Sequence, residues 1–385
     1  MSPAKIIAAI LVLSAAATLH SDIATGRAAI AEDFPAGKIS DASSETTPPR
    51  RRAPRRRSRY KNRAKKSQAP RKPRVELSGR WRDETRKALE GLIASRGNQS
   101  EDFDEARRPI AILILDDVSI LGSVAETAFY HLVTDAAFKF DDFFWKRLPP
   151  PYDRRALAGY NGFSRDPQVI WPKNPYYQAY RKALFSAYQD ICRREGRRTC
   201  GLWLSKLLAG FKEGEWAQYM KDVITKEMGS LKWESVRQSP EDETPIRVRH
   251  GIALIPEIEE LCGALTKNGF DLWILSASNA WGAQLLADYY KVDPSRVVGV
   301  RPRVRSGVLQ EEIINPVPVG SGEAEAVTLL MGRAPDLALG GEHDRPLLEY
   351  GEGLRVLFSE EARSHQDASR RGWLIEPGFA ESWKP

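Results

Sequence analysis

Four short apolar runs dominate the chain beyond residue 108: "PIAILIL" (109–115), "DLWILSAS" (271–278), "LALGG" (337–341) and "LRVLF" (354–358). Their hydrophobicity is continuous rather than alternating, the pattern of a strand buried on both faces, which arises when helices cover both sides of a parallel sheet. The segments between them carry helical periods. One helix begins near Ser123, which can cap it, and others span 254–267, 280–289, 321–331, 344–350 and 359–371. Short strands are expected at 297–304, 308–314 and in the late "WLIE". Strands alternating with helices predict a three-layer α/β domain built on a mostly parallel sheet. With 385 residues and 42% apolar content, the chain can bury such a core.

Ligands in open parallel sheets sit beyond the strand C-termini, where helix starts offer backbone N–H groups to an anion. Three strand ends are polar: Asp116-Asp117, Ser276-Ala277-Ser278, and Gly340 through Glu342 and His343 to Asp344. Residues 136–245 carry helical periods and many aromatic and basic residues, which predicts a helical insertion lying over that end of the sheet. Within it Tyr176, Tyr180, Leu184 and Tyr188 recur every four residues, a core stripe. Ahead of the first strand, 79–96 places Trp81, Ala88, Leu89, Leu92 and Ile93 at helical spacing, so 79–107 is expected to be a lead-in helix and its exit.

The N-terminus is of another kind. Lys5, the apolar run 6–19 and Ala29-Ile30-Ala31 have the order of a secretory signal peptide over 1–31, with an uncleaved membrane anchor as the alternative. Export to the periplasm or beyond follows from either. In an oxidising compartment Cys192 and Cys200 could close a small disulfide loop, leaving Cys262 as a packed thiol on a helix. Residues 48–74 contain 14 Lys or Arg, five Pro and no acid. Since the whole chain carries +7 and residues 1–47 carry −2, that excess leaves −5 on residues 75–385. The basic stretch cannot bury a core, so 32–78 is expected to be a disordered tether attracted to an anionic surface, membrane or cell-wall polymer. Only Tyr60 is available there for base stacking, so no specific nucleic-acid partner is expected.

The segments "SVAETAFYHL" (123–132), "HGIALIPEIEELCGALTKNGFDLWILSASNAWGAQLLADYYKVDPSRVVGVRPRV" (250–304), "NPVPVGSGEAEAVTLLMGRAPDLALGGEHDRPLLEY" (315–350) and "GLRVLF…RGWLI" resemble, in that order, the haloacid dehalogenase (HAD) superfamily. The resemblance is to the phosphoserine-phosphatase-like branch, with a helical cap inserted after the first strand. It implies a HAD-like, Rossmannoid core over 108–135 and 246–385, a cap over 136–245, and phosphoryl chemistry. That chemistry uses an Asp nucleophile, an acid-base Asp two residues on, a phosphate-holding Ser or Thr, a Lys, and acids that hold Mg2+.

Placed on this sequence, the family pattern is kept at Ser276, the phosphate-binding position, and broken elsewhere. Without a gap, Ile114 takes the nucleophile position, Asp116 the acid-base position and Val118 the next landmark. Shifted by two residues, Asp116 becomes the nucleophile and Val118 the acid-base residue. The Lys position falls on Glu323, a charge reversal facing the anion, and the first acid of the metal loop falls on Gly341. Glu342 is a displaced stand-in, and Asp344 holds the second acid position.

Two functional readings follow. One is a pseudo-phosphatase, a binding or scaffold module on a phosphatase fold. The other is a divergent Mg2+-dependent phosphomonoesterase that uses Asp116 or Asp117 as nucleophile, Ser276 on the phosphate, and Asp116, Glu342 and Asp344 on the metal.

Overall fold

The computed structural model describes residues 75–165 and 171–379. The expected signal peptide and all but the last four residues of the expected tether lie outside them. Those last four residues are not a tether. Leu77 is buried, its N–H donates to Glu90 Oε1 at 2.9 Å, and Ser78 N–H donates to Glu260. The apolar Val75 and Leu77 are what turn the basic run into packed chain.

In chain order the elements are α1 (Asp83–Arg96), β1 (Ile110–Ile114), β2 (Ile120–Leu121), α2 (Val124–Thr134), α3 (Asp142–Lys146), α4 (Tyr152–Phe163), α5 (Pro175–Lys206), α6 (Glu213–Glu227), β3 (Ser230–Val236), β4 (Ile246–Leu254) and α7 (Pro256–Lys267). Then follow β5 (Asp271–Asn279), α8 (Ala280–Ala287), β6 (Val297–Arg305), β7 (Val308–Ile314), α9 (Ser321–Met331), β8 (Leu337–Gly341), α10 (Arg345–Tyr350), β9 (Leu354–Phe358), α11 (Ala362–Arg370) and β10 (Leu374–Glu376). The main sheet runs β10-β9-β8-β1-β5-β6-β7 and is parallel except for β7. All five residues of β1 are buried because it lies between β5 and β8, with Ile112 opposite Trp273 on one side and Ala338 on the other. Among the described residues no helix is long and apolar enough to cross a membrane.

The lead-in helix is shorter than expected at its start. Trp81 precedes it and packs edge-on against Phe358 and Phe379, while Leu89 and Ile93 face the core. The insertion after α2 is not all helical. β3 pairs antiparallel with β4, which also pairs with β2, in a separate three-stranded sheet. The sequence "SLKWESV" hides this strand because most of β3 is solvent-facing and carries charge, so no apolar alternation announces it.

The expected aromatic stripe is corrected at one end. Tyr180 and Leu184 are fully buried, but Tyr176 is 57% exposed and Tyr177 is buried in its place. A four-residue step advances about 40° past a full turn, so three steps swing a stripe off its face. The predicted disulfide is present between Cys192 and Cys200, and Cys262 is a buried free thiol.

Candidate functional site

Immediately after β1 the chain makes a single turn over Leu115–Ser119, in which Asp117 adopts a left-handed conformation (φ 60°, ψ 5°). Asp tolerates that region better than most residues. The turn sends the two adjacent carboxylates to different surroundings.

Asp116 is buried, and each of its oxygens accepts at least one hydrogen bond. Oδ1 accepts from Val124 N at 2.9 Å and Ser278 Oγ at 2.7 Å, and Oδ2 accepts from Ser276 Oγ at 2.7 Å. The network closes on itself. Ser276 Oγ accepts from Ser278 N at 3.0 Å, and Ser278 Oγ accepts from Ala125 N at 2.8 Å. Ser276 and Ser278 share a face of β5 because side chains on a strand repeat every two residues. The N-terminus of α2, a ready-made site for an anion, is thus occupied by a carboxylate of the chain itself.

Asp117 faces cations. Arg249 spans it, Nη1 to Oδ1 at 2.7 Å and Nη2 to Oδ2 at 2.9 Å, and Arg197 Nη2 lies 3.3 Å from Oδ2. Arg249 also reaches Glu126 Oε2 at 3.0 Å, and Tyr188 donates to the other oxygen of Glu126. Burial works against the charge on Arg249 and Arg197, but Asp117 and Glu126 more than offset it and both guanidinium groups are held more firmly protonated.

The opposite side of the cleft belongs to α9 and β8. Glu323 does not project a negative charge at the cleft as the sequence suggested. It is buried, turns back on its own helix to accept from Gly320 N at 2.8 Å, and leaves Oε2 without a hydrogen-bond partner. Burial, then the neighbouring Asp344 carboxylate, pushes Glu323 up to about 9, so it is neutral at pH 7. Asp344 is half-buried as a residue, but its carboxyl end is enclosed and burial raises it too, against the Gly341 N–H at 2.7 Å and Arg197. At Gly341 a Cβ would stand 3.3 Å from Asp344 Oδ2 and 3.4 Å from Val118 Cγ2, so a side chain there would require the Asp344 carboxylate to shift by a few tenths of an ångström.

Asp116, Asp117, Glu342, His343 and Asp344 line one cavity of about 350 Å3; Ser276 sits behind Asp116, fully buried. Ile114 is core, in β1. Mg2+ is the ion the resemblance implies, and the residues as placed do not fit it. Asp116 already accepts three hydrogen bonds, Glu342 accepts from Ser359, and Asp344 Oδ2 accepts from Gly341 N. Among the described residues Asp116, Glu342 and Asp344 do not form a converged group of three ligand atoms.

A second cavity of about 480 Å3 adjoins the first, sharing Arg197 and His343. Phe129, Phe185, Tyr188 and Trp233 form its apolar walls, and Arg193, Arg197, Arg247 and Arg249 line it against one acid, Glu126. Sequence reasoning placed Ser278 at a polar strand end without giving it a role, and missed Arg197 and Arg249. Period-two spacing from Ser276 signals the serine, whereas the two arginines come from α5 and from β4, which no local pattern places beside Asp117.

No family model matches the chain, and no curated protein matches it in sequence. Among solved structures, a conserved protein of unknown function from Anaerococcus prevotii superposes with a TM-score of 0.66 at 20% identity, over 78% of this chain and 93% of that one. A HAD family hydrolase from Salmonella enterica serovar Typhi gives a TM-score of 0.38 at 12% identity, over 67% of this chain and 64% of that one. A phosphoserine phosphatase, solved as a phospho-aspartyl intermediate analogue, gives 0.38 at 10% identity, over 72% and 97%. The parallel sheet takes its insertion directly after β1 and α2 and gathers its polar groups at the ends of β1, β5 and β8, and this chain accordingly shares the α/β fold of the Anaerococcus prevotii protein.

Proposed function

We propose that the chain is an exported phosphatase-fold protein that binds an anionic organic ligand in the arginine-lined cavity adjoining its strand-end cleft and transfers no phosphoryl group. One observation carries this reading: both oxygens of Asp116 are taken up by Ser276, Ser278 and the start of α2. A carboxylate that attacks phosphorus needs a lone pair aimed at it, and positive charge to receive what develops on the phosphoryl oxygens. Here three of roughly four lone-pair sites already accept hydrogen bonds inside the protein, and Glu323, held neutral, occupies the position where the resemblance places a lysine.

Binding is supported by the adjoining cavity. Its four arginines suit an anionic group and its aromatic walls an apolar or aromatic body. The Cys192–Cys200 disulfide fits an oxidising compartment. The basic tether would hold the domain near an anionic surface, membrane or cell-wall polymer.

The second reading, a divergent Mg2+-dependent phosphomonoesterase, is favoured by the fact that Asp116, Asp117 and Asp344 line the same cavity. It requires the carboxylates to be rearranged. The full chain, assayed with p-nitrophenyl phosphate and Mg2+, is expected to show no turnover, while calorimetry with phenyl phosphate shows binding that Arg249→Ala weakens. Turnover abolished by both Asp116→Asn and Asp344→Asn would overturn the binding reading and establish the hydrolase.

A further inference from the structure

Away from the strand-end cleft, the fold brings together three buried side chains that neither the sheet nor the cleft uses. His131 lies in the C-terminal half of α2, Glu227 ends α6, and His250 sits in mid-β4. His131 Nε2 is 2.8 Å from Glu227 Oε1, and His250 Nδ1 is 3.0 Å from Glu227 Oε2. One ligating atom from each residue lies within 4.8 Å of the other two. We propose that this trio binds a divalent cation of the zinc type, which staples the insertion to the core through α2, α6 and β4.

The proton inventory of His131 is the main argument. Its second ring nitrogen, Nδ1, lies 3.5 Å from Asp135 Oδ2, so both nitrogens face carboxylates. A neutral imidazole has a single N–H and can serve one of them. A cation on Nε2 resolves the conflict: Nδ1–H is left to donate to Asp135, the carboxylate–histidine–metal arrangement that orients a ligating ring. The other ring is also fixed, since Tyr130 stacks on His250 with centroids 3.8 Å apart.

Two imidazoles and one carboxylate are borderline donors that favour Zn2+ over the oxygen-seeking Mg2+ and Ca2+, and a water completes the tetrahedron in three-ligand zinc sites. Metal–ligand bonds of roughly 2.0–2.1 Å put tetrahedral donors about 3.3 Å apart, so loading would turn one Glu227 oxygen towards both ring nitrogens and draw together three atoms that already lie within 4.8 Å of one another. Two other charged groups stand nearby. Lys232 Nζ is 3.8 Å from Glu227 Oε2 but more than half exposed, and Glu234 is already committed to Arg181 and Tyr130. Without a cation, His131 Nε2–H can donate to Glu227, and Nδ1 is then left facing the half-exposed Asp135 carboxylate at 3.5 Å.

The test uses the full chain, stripped with a chelator and titrated with Co2+ and then Zn2+. One equivalent of Co2+ should bind with the visible absorption of a four-coordinate ion, and Zn2+ should raise the melting temperature. Glu227→Gln and His250→Gln should lose both effects, Asp135→Asn should weaken binding roughly tenfold or more, and Asp344→Asn should retain both. If the ligand variants fail to fold, X-ray absorption of the zinc-loaded wild type decides by counting imidazoles, two being expected. The proposal is overturned by an unchanged melting temperature with no uptake, which leaves a metal-free hydrogen-bonded trio, by uptake that survives Glu227→Gln, by uptake lost in Asp344→Asn instead, or by fewer than two imidazoles on the metal.

Discussion

The two sides of the strand-end cleft hold carboxylates by opposite means. On the β1/β5 side, Asp116 is surrounded by two hydroxyls and a helix-start N–H, all donors. On the α9/β8 side, Glu323 and Asp344 face each other with few donors, and burial drives both upward. A buried carboxylate is stable either because hydrogen bonds replace its hydration or because it takes up a proton. This cleft uses both solutions, one on each side.

The contrast is broken most severely at its donor-rich side. Replacing Asp116 with Ala removes the acceptor from Ser276, Ser278 and Val124 together and should cost about 3 kcal/mol in chemical denaturation, because buried donors lose their partner. On the other side the effect depends on pH. The unfolded chain releases the Glu323 proton near its ordinary value while the folded chain holds it to about 9, so folding stability falls as pH rises from about 4.5 towards 9. Glu323→Gln removes that slope: relative to wild type, its melting temperature should rise between pH 5 and pH 8, and a difference that stays constant with pH would show that Glu323 is ionised after all.

Asp117 lies between the two sides, and its arginines allow a milder test. Arg249→Ala leaves Asp117 and Glu126 facing one arginine fewer, and should cost roughly 1–2 kcal/mol while weakening anion binding in the adjoining cavity. Arg193 lines the same cavity, but its salt bridge to Asp190 is a surface pair within α5. Arg193→Ala should therefore change stability by less than about 0.5 kcal/mol, and a larger effect would mean that the cavity is more closed than its geometry indicates.

Different parts of the molecule were legible in the sequence for different reasons. The strands β1, β5, β8 and β9 stand out because each lies inside a parallel sheet and is apolar on both faces. Glu323 was located by its motif position but not understood, since its protonation depends on Asp344, 21 residues away in sequence and adjacent only in the fold. The β3–β4 hairpin went unseen because its outer strand is largely solvated, and with it went Arg249, half of the arginine cavity and His250.

By itself the sequence determined the layered fold, the insertion after the first strand, and the three polar strand ends where a ligand would lie. These follow from hydrophobic period and order along the chain, which are local properties. Only the tertiary structure decided what each acid does. Asp116 becomes a hydrogen-bonded cap, Glu323 a neutral acid, Asp117 an arginine partner, and Glu227 the centre of a pair of histidines. Charge state and bonding are set by whatever groups folding brings within a few ångströms, and no reading along one strand or helix contains that information.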